Sequence, residues 1–284
     1  MNLKLKEFLK KIFFRTLNFL SPNQSCNLNN LRQKIMKRNF YFNYDSKQEL
    51  YYVSDNNIQM YFSNKLRGFQ TYSYGVRNRA EELIKTYGIE QIKFNNKDIV
   101  IDCGANYGDI FTWFKINNLK INYISFEPAP REFECLKLNC VGQKNNNLGL
   151  FDKEGFFDFF IKSDTGDSSI MEPSEGFTEK IKIRTTTLSN YINSNNIQKV
   201  KLFKVEAEGL EQEILMGAKD VLQKIAYIGV DGSAERGKDN ETTYQFAREF
   251  LHSNNFKTIY SNINDIYAKE LFKNNNINNN LSEL

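Results

Sequence analysis

Histidine is nearly absent from this chain of 284 residues: there is one, His252, beside four cysteines, four prolines and one tryptophan. Cys26, Cys103, Cys135 and Cys140 form no C-x-x-C pair. A zinc site therefore lacks its ordinary ligands, and no metal centre is expected. Unpaired thiols in a domain of this size fit a reducing cytoplasm. No apolar run approaches the roughly twenty residues that span a bilayer. Residues 1–20 imitate a secretory leader only loosely, because Arg15 and Asn18 interrupt the apolar part and no small-residue cleavage site follows. Charge of one sign is also scarce. The net value of +4 is too small to advertise nucleic-acid binding.

What is plentiful is apolar and aromatic side chain, with 40% hydrophobic residues, 24 Phe and 15 Tyr. That is enough to bury the core of one large α/β domain plus an extension. The basic surplus is local: residues 1–40 hold nine Lys or Arg against Glu7 alone. Leu5, Phe8, Leu9, Ile12, Phe13, Leu17 and Leu20 recur at helical spacing beside Lys4, Lys6, Lys10, Lys11 and Arg15, and the pattern stops at Ser21-Pro22. This is a basic amphipathic helix. It suits docking on its own domain or on a second subunit of a homo-oligomer, and also peripheral contact with an anionic membrane surface.

Further along, Leu50–Val53 and Ile58–Phe62 flank Ser54-Asp55-Asn56-Asn57, the pattern of a hairpin. Arg67–Tyr74 reads as an aromatic loop, with Phe69–Tyr74 available to stack on a sugar or base, and a helix is expected from Val76 to Tyr87. Strands are expected at 99–101, 121–126, 155–162, 180–186, 200–205, 225–230, 256–260 and 263–268, and 143–150 is either a short irregular strand or a sign that the order differs. Helices begin at Pro130, Leu210 and Tyr244. Such alternation means an α/β fold with a mainly parallel sheet. The chain divides into an extension at 1–94 (helix, hairpin, helix), the α/β domain at 95–272, and an Asn-rich tail at 273–284 with too little to bury to be ordered.

One stretch organises the rest. Ile99-Val100-Ile101 runs into Asp102-Cys103-Gly104-Ala105-Asn106-Tyr107-Gly108, and a helical pattern follows. Strand, glycine turn and helix make the first half of a nucleotide-binding unit, in which Gly104 allows a close backbone approach and Gly108 tight helix packing. The second strand ends at Glu127, placed about twenty residues on to accept both ribose hydroxyls. A dinucleotide fingerprint, G-x-G-x-x-G, has a middle glycine that makes room for a pyrophosphate. Ala105-Asn106 stand where it would be. S-adenosylmethionine, a nucleoside with an amino-acid tail, suits this turn better. Two rivals stay open: an NAD(P)-dependent oxidoreductase on a Rossmann-like fold, and a non-catalytic cofactor-binding or membrane-associated scaffold.

Ligands in such sheets bind outside the carboxyl ends of the strands. Acids and a base gather there: Asp102, Glu127, then Lys204-Val205-Glu206-Ala207-Glu208, and Asp231. Charge emerging from a buried strand is costly unless used or paired. His252 lies on a helix instead.

These motifs resemble the FkbM-type family of S-adenosylmethionine-dependent methyltransferases over roughly residues 95 to 268. The family's D-x-G-A-N-x-G is matched by Asp102–Gly108, its F-E-P-x-P by Phe126-Glu127-Pro128-Ala129-Pro130, and its I-K-x-D-x-E-G-x-E by Phe203–Glu211, with Leu215-Met216-Gly217-Ala218 following. Asp167-Ser168-Ser169 looks like its G-x-S-S loop. Glu206 departs from the usual Asp, Asp231 from the usual Glu, and the Asn-rich segment before Leu150 differs more. The resemblance implies a class I, Rossmann-like doubly wound sheet with an N-terminal extension. It implies an O-methyltransferase acting on a sugar or sugar-linked metabolite in cell-surface polysaccharide biosynthesis. Cofactor contacts fall to Asp102, Gly104, Asn106, Gly108, Glu127, Asn147 and Leu148. For the base, Asp231 ranks before Glu206 and Glu208, with Lys204 orienting a carboxylate or the acceptor.

Overall fold

The computed structural model describes residues 12–162, 168–173, 176–264 and 267–277. The chain forms two compact units, 1–79 and 80–284.

In the first unit residues 12–18 are helical, with Phe14 and Leu17 inside and Ile12 exposed. The rest of the expected basic helix lies outside the described residues. Helix α1 (Pro22–Ile35) follows, begun by a capping box between Ser21 and Gln24. Strands β1 (Phe40–Asp45), β2 (Leu50–Asp55) and β3 (Ile58–Phe62) form an antiparallel sheet. The β2–β3 hairpin matches the sequence pattern, with Asn56 at φ 53° in its turn. β1 was not expected. Asn30 of α1 holds its edge, the side-chain amide donating to Phe42 O at 2.8 Å while Oδ1 accepts Phe42 N–H at 2.7 Å.

The aromatic stretch after β3 corrects the sequence reading. It is a helix, α2 (Lys65–Thr71), capped by Asn64, and Phe69 and Tyr72 are fully buried in a cluster with Phe42, Tyr51 and Phe62. These two rings close a small core and are not open to stack on a ligand, whereas Tyr74 of the same stretch is exposed and carries the Arg38 guanidinium on its face. Helix α3 (Val76–Thr86) then begins under the Asp55 carboxylate, which accepts the Val76 N–H at 2.8 Å.

The second unit is built on a seven-stranded sheet. Its strands in chain order are β4 (Ile99–Cys103), β5 (Asn122–Phe126), β6 (Lys144–Asn146), β10 (Val200–Val205), β11 (Ile225–Asp231), β14 (Phe256–Ile263) and β15 (Ala268–Asn274), arranged β14-β15-β11-β10-β4-β5-β6. The β6-β5-β4-β10-β11 run is parallel, and β15 enters antiparallel between β11 and β14. Helices cover both faces. Leu83 and Ile84 of α3, Ile110 and Phe114 of α4 (Asp109–Ile116) and Leu136 of α5 (Pro130–Asn139) share one core layer. Leu188 and Ile192 of α6 (Leu188–Ser194), Ile214 of α7 (Glu211–Gly217) and Leu251 of α8 (Tyr244–Ser253) share the other. This is the doubly wound α/β class. The order reverses between β4 and β10, so their carboxyl ends form the switch point where a ligand belongs.

Three findings go beyond the pattern. β7 (Gly149–Leu150), β8 (Gly155–Ile161) and β9 (Glu179–Thr186) pair in a separate sheet. A short ribbon of β12 (Ala234–Arg236) and β13 (Glu241–Thr242) follows β11. The last hairpin is 256–263 with 268–274, so the second strand lies beyond the expected 263–268 and runs past Lys273. Among the described residues no helix is long and apolar enough to cross a membrane.

Candidate active site at the switch point

The turn after β4 is held mainly by backbone. The Gly104 and Ala105 N–H groups both donate to Phe126 O, at 3.0 and 3.1 Å, and Gly108 N–H closes onto Ala105 O at 2.8 Å. Gly104, at φ 69°, has no room for a Cβ: one there would lie 1.8 Å from the Glu206 carbonyl oxygen. The close approach expected at this glycine is thus made by the chain's own loop after β10, a correction to the ligand-path reading. At Gly108, φ 90°, a Cβ would meet Cys140 Sγ at 2.4 Å, so this glycine seats α4 against the end of α5.

Glu127 ends β5 buried, with Oε2 accepting the Asn106 N–H at 2.8 Å and Oε1 the Ala129 N–H at 3.0 Å. Burial above all, then Glu132, pushes this carboxyl up to about 7 against those two amides. Each oxygen keeps a further lone pair. Asn106 takes φ 49°, and its buried Oδ1 has no hydrogen-bond partner among the described residues. Asn147 Nδ2 donates to Glu127 O at 2.9 Å and Pro128 O at 3.1 Å, which fixes an exposed amide above the β5 end, while half-buried Leu148 packs on the core. A buried carboxylate with lone pairs to spare, beside a buried acceptor unsatisfied among the described residues, fits a nucleoside with a donor-bearing tail.

The other side is made of ions. Lys204 is opposite Asp102 in the β10–β4 register and is buried. Its ammonium meets Asp102 Oδ1 at 3.1 Å, Glu206 Oε2 at 2.8 Å, and the carbonyls of Cys103 and Gly104 at 3.2 and 2.9 Å. Tyr123 donates its hydroxyl to the other oxygen of Asp102. Asp102 and Lys204 thereby lie beneath the turn and join β4 to β10. Burial works against the Lys204 charge, but Asp102 and Glu206 outweigh it and hold the ammonium protonated well above its ordinary range.

Glu206 also accepts the Tyr87 hydroxyl at 2.8 Å and faces Lys269 Nζ at 3.5 Å. Lys269 Nζ lies 2.6 Å from Asp231 Oδ2 and 4.4 Å above the Tyr87 ring. The Asp231 Oδ1 accepts the Ser233 N–H at 3.2 Å and the Ser233 hydroxyl. Burial would raise the Glu206 carboxyl, but Lys204 and Lys269 hold it well below the usual range. Burial, with Glu206 next, raises Asp231 despite Lys269. The chain Asp102–Lys204–Glu206–Lys269–Asp231 alternates in sign and sums, at three carboxylates and two ammoniums, to one negative charge.

Glu208 sits at φ 51° in the loop after β10, its carbonyl accepting the Ser169 hydroxyl at 3.1 Å. Asp167 of the same expected motif lies outside the described residues. Glu211 holds the loop from the start of α7, taking the N–H groups of Ala207 at 2.9 Å and Gly209 at 3.3 Å and the Thr243 hydroxyl at 2.8 Å. His252 is exposed in the last turn of α8 and paired with Thr258 at 2.9 Å. The sequence reading did not single out Tyr87, Lys269, Ser233 or Glu235. The adjacent Lys269 and Glu270, set between Ala268 and Leu271-Phe272, were the available signal.

The family model for the methyltransferase FkbM domain matches residues 102–258. A hexuronic acid methyltransferase, AglP, of Haloferax volcanii is 29% identical over 143 residues, 47% of this chain and 55% of that protein. The 2-O-methyltransferase NoeI of Sinorhizobium fredii is 22% identical over 175 residues, 55% of this chain and 72% of that one. This chain therefore matches little more than half the length of the first of these relatives. Among solved structures, TrmK of M. capricolum with S-adenosylhomocysteine covers 70% of this chain and 71% of its own, at 13% identity and a TM-score of 0.41.

Proposed function

Because the chain belongs to the FkbM methyltransferase domain family, with S-adenosylmethionine as its cofactor, we propose that it methylates a hydroxyl of a sugar or sugar-linked metabolite in the synthesis of a cell-surface glycan. Bound at the switch point, the cofactor supplies a sulfonium-activated methyl group. The observation that carries the reading is the state of the two lysines. Both Lys204 and Lys269 are engaged by carboxylates, and the ion chain is left with one net negative charge. A cationic sulfonium suits that field, and a pyrophosphate does not.

In this reading Glu127 takes the ribose hydroxyls, Asn106 Oδ1 accepts from the amino-acid tail, and Asn147 and Leu148 border the adenine. Gly104 and Gly108 shape the turn, and Asp102 braces it through Lys204. The acceptor hydroxyl enters beside Glu206, Glu208 and Asp231, where the protein aligns it with the methyl group at about 3 Å. The sugar class is drawn from the two curated relatives, one acting on a hexuronic acid and one a 2-O-methyltransferase.

Calorimetry with S-adenosylhomocysteine and with NADH tests the cofactor half, with binding expected for the first alone. Transfer of radiolabelled methyl from S-adenosylmethionine to a panel of hexuronic acid glycosides and neutral hexosides tests the acceptor half. Labelling confined to a peptide or a nucleobase offered in the same panel would replace the sugar reading.

A further inference from the structure

The carboxylates brought to the ends of β4, β10 and β11 are mostly engaged with the fold. Asp102 is held by Tyr123 and Lys204, Glu206 by Tyr87 and two lysines, Asp231 by Lys269 and Ser233, and Glu211 by two loop amides and Thr243. Protonating any of them would weaken an ion pair or a charge-assisted hydrogen bond that holds the fold. Glu235 differs. It is half-buried and makes no hydrogen bond or ion pair through its side chain with any described residue.

Its backbone is nevertheless fixed. Glu235 N–H donates at 2.9 Å to the carbonyl of Ser233, the residue that bonds Asp231. The next residue, Arg236, reaches Gly209 O at 2.6 Å and forks onto Glu213 at 2.7 and 3.0 Å. Gly209 is pressed so closely on this ribbon that a Cβ there would lie 2.5 Å from Arg236 Cα. The end of β12 is thus clamped against the loop after β10, and that loop carries Glu206 and Glu208.

We propose that Glu235 is the catalytic base of the methyl transfer, a role that rests on the function proposed above. The acceptor oxygen forms its bond to the methyl carbon as the carbon–sulfur bond breaks and its electron pair returns to sulfur. The hydroxyl proton passes to a Glu235 Oε atom, giving a methyl ether, S-adenosylhomocysteine and a neutral carboxyl that solvent discharges. The charges that act on the Glu235 carboxyl are those of Asp231 on β11, Glu211 on α7 and Glu206 after β10, with Lys269 on β15 as the opposing cation. Burial first, and then those three acids, raise its carboxyl to about 8, near the operating range of a general base. Asp231 and Glu206, tied to their lysines, supply the negative field that keeps the acceptor side attractive to the sulfonium.

The test is E235Q in the full chain, beside E235D, with the labelled-methyl assay on hexuronic acid glycosides. Gln removes no contact of the folded protein and takes away a charge that burial disfavours, so a melting temperature at or above that of the wild type and unchanged S-adenosylhomocysteine affinity are expected. kcat should fall about a hundred-fold or more. The wild-type kcat should rise with pH to about 8, E235D should keep this limb, and E235Q should lose it. Turnover of E235Q within about threefold of wild type, or an unchanged pH limb, overturns the assignment. If the wild type binds S-adenosylhomocysteine and methylates no sugar offered, the acceptor reading fails by itself. Glu235 is then judged by carbon-13 NMR of carboxyl-labelled glutamate. A resonance missing from E235Q that titrates near 8 supports the role, and one titrating in the ordinary range of about 4–5 overturns it.

Discussion

The proposed cofactor end and the proposed acceptor end of the site are held by different means. At the cofactor end, seven consecutive residues and one acid about twenty positions on are joined by backbone N–H groups, and the glycines serve close backbone contacts. At the acceptor end the fixed points are side-chain charges from four separate elements, which meet only when β10, β11 and β15 lie together and Tyr87 packs beneath them. A backbone-built turn tolerates loss of a side chain and fails when a side chain is added. An ion chain behaves the opposite way, since removal of one member leaves its neighbours buried and uncompensated.

The largest effect separating the two ends is expected at Lys204. Lys204→Met keeps the volume but leaves Asp102 and Glu206 without their shared cation, and breaking a buried pair in this way costs about 3–5 kcal/mol. Urea unfolding measures it, and a loss under about 1 kcal/mol would mean that the chain is not an energetic unit. At the cofactor end the severe change is an addition. Gly104→Ala places a methyl group against the Glu206 carbonyl at φ 69°. Left-handed backbone strain plus overpacking should destabilise the fold by about 2–4 kcal/mol. If Gly104→Ala unfolds like the wild type yet loses S-adenosylhomocysteine, the ligand-path reading of this glycine is restored.

The contrast also explains what the sequence let one read. Asp102–Gly108 and Glu127 carry their meaning in local spacing, and the apolar runs of β4, β5, β10 and β11 alternate with helices, so the sheet class and the switch point were open to inspection. Lys269 and Glu270 were not. Both are buried, one paired to Asp231 and the other to Arg248 at 2.7 Å, yet two adjacent charges read as a solvated loop, and the last strand was expected elsewhere. The separate β7-β9-β8 sheet escaped for another reason: alternation marks a strand but does not name its partner. Phe69 and Tyr72 misled because aromatics without regular spacing serve a small core as readily as a ligand surface.

A middle-sized effect comes from Glu127. Glu127→Ala should weaken S-adenosylhomocysteine binding by about 1.5–3 kcal/mol, the scale of hydrogen bonds to a charged group, with little change in the unfolding midpoint. Its pH behaviour has two opposite signs. Burial raises this carboxyl to about 7 in the folded chain. The protonated form therefore favours folding, and its contribution is lost as pH rises from the ordinary carboxylate range, about 4.5, toward 7. Binding moves the other way, because the ionised form accepts the ribose hydroxyls. Affinity should climb to about pH 7 and then level. Titration calorimetry at several pH values should show that climb in the wild type and a flat line in Glu127→Gln; a flat wild-type profile would remove Glu127 from the ribose.

The smallest effect removes one hydroxyl from the ion chain. Tyr87 donates to Glu206 at 2.8 Å and accepts from Lys269 Nζ at 3.4 Å, while its ring lies 4.4 Å beneath that ammonium. Tyr87→Phe deletes the donor and the long contact to Lys269 and keeps the ring, so the cation stays over an aromatic face and the core retains its packing. Glu206 loses one partner but keeps both lysines, so it stays ionised through the neutral range. The expected loss is about 1–2 kcal/mol, that of a hydrogen bond to a charged acceptor, and it should not grow as pH rises from 6 to 8. Tyr87→Ala removes the ring as well and leaves a cavity, for a loss of about 3–5 kcal/mol. If the two variants are equally unstable, the hydroxyl rather than the ring holds Lys269 in place, and Tyr87 belongs to the ion chain as a full member.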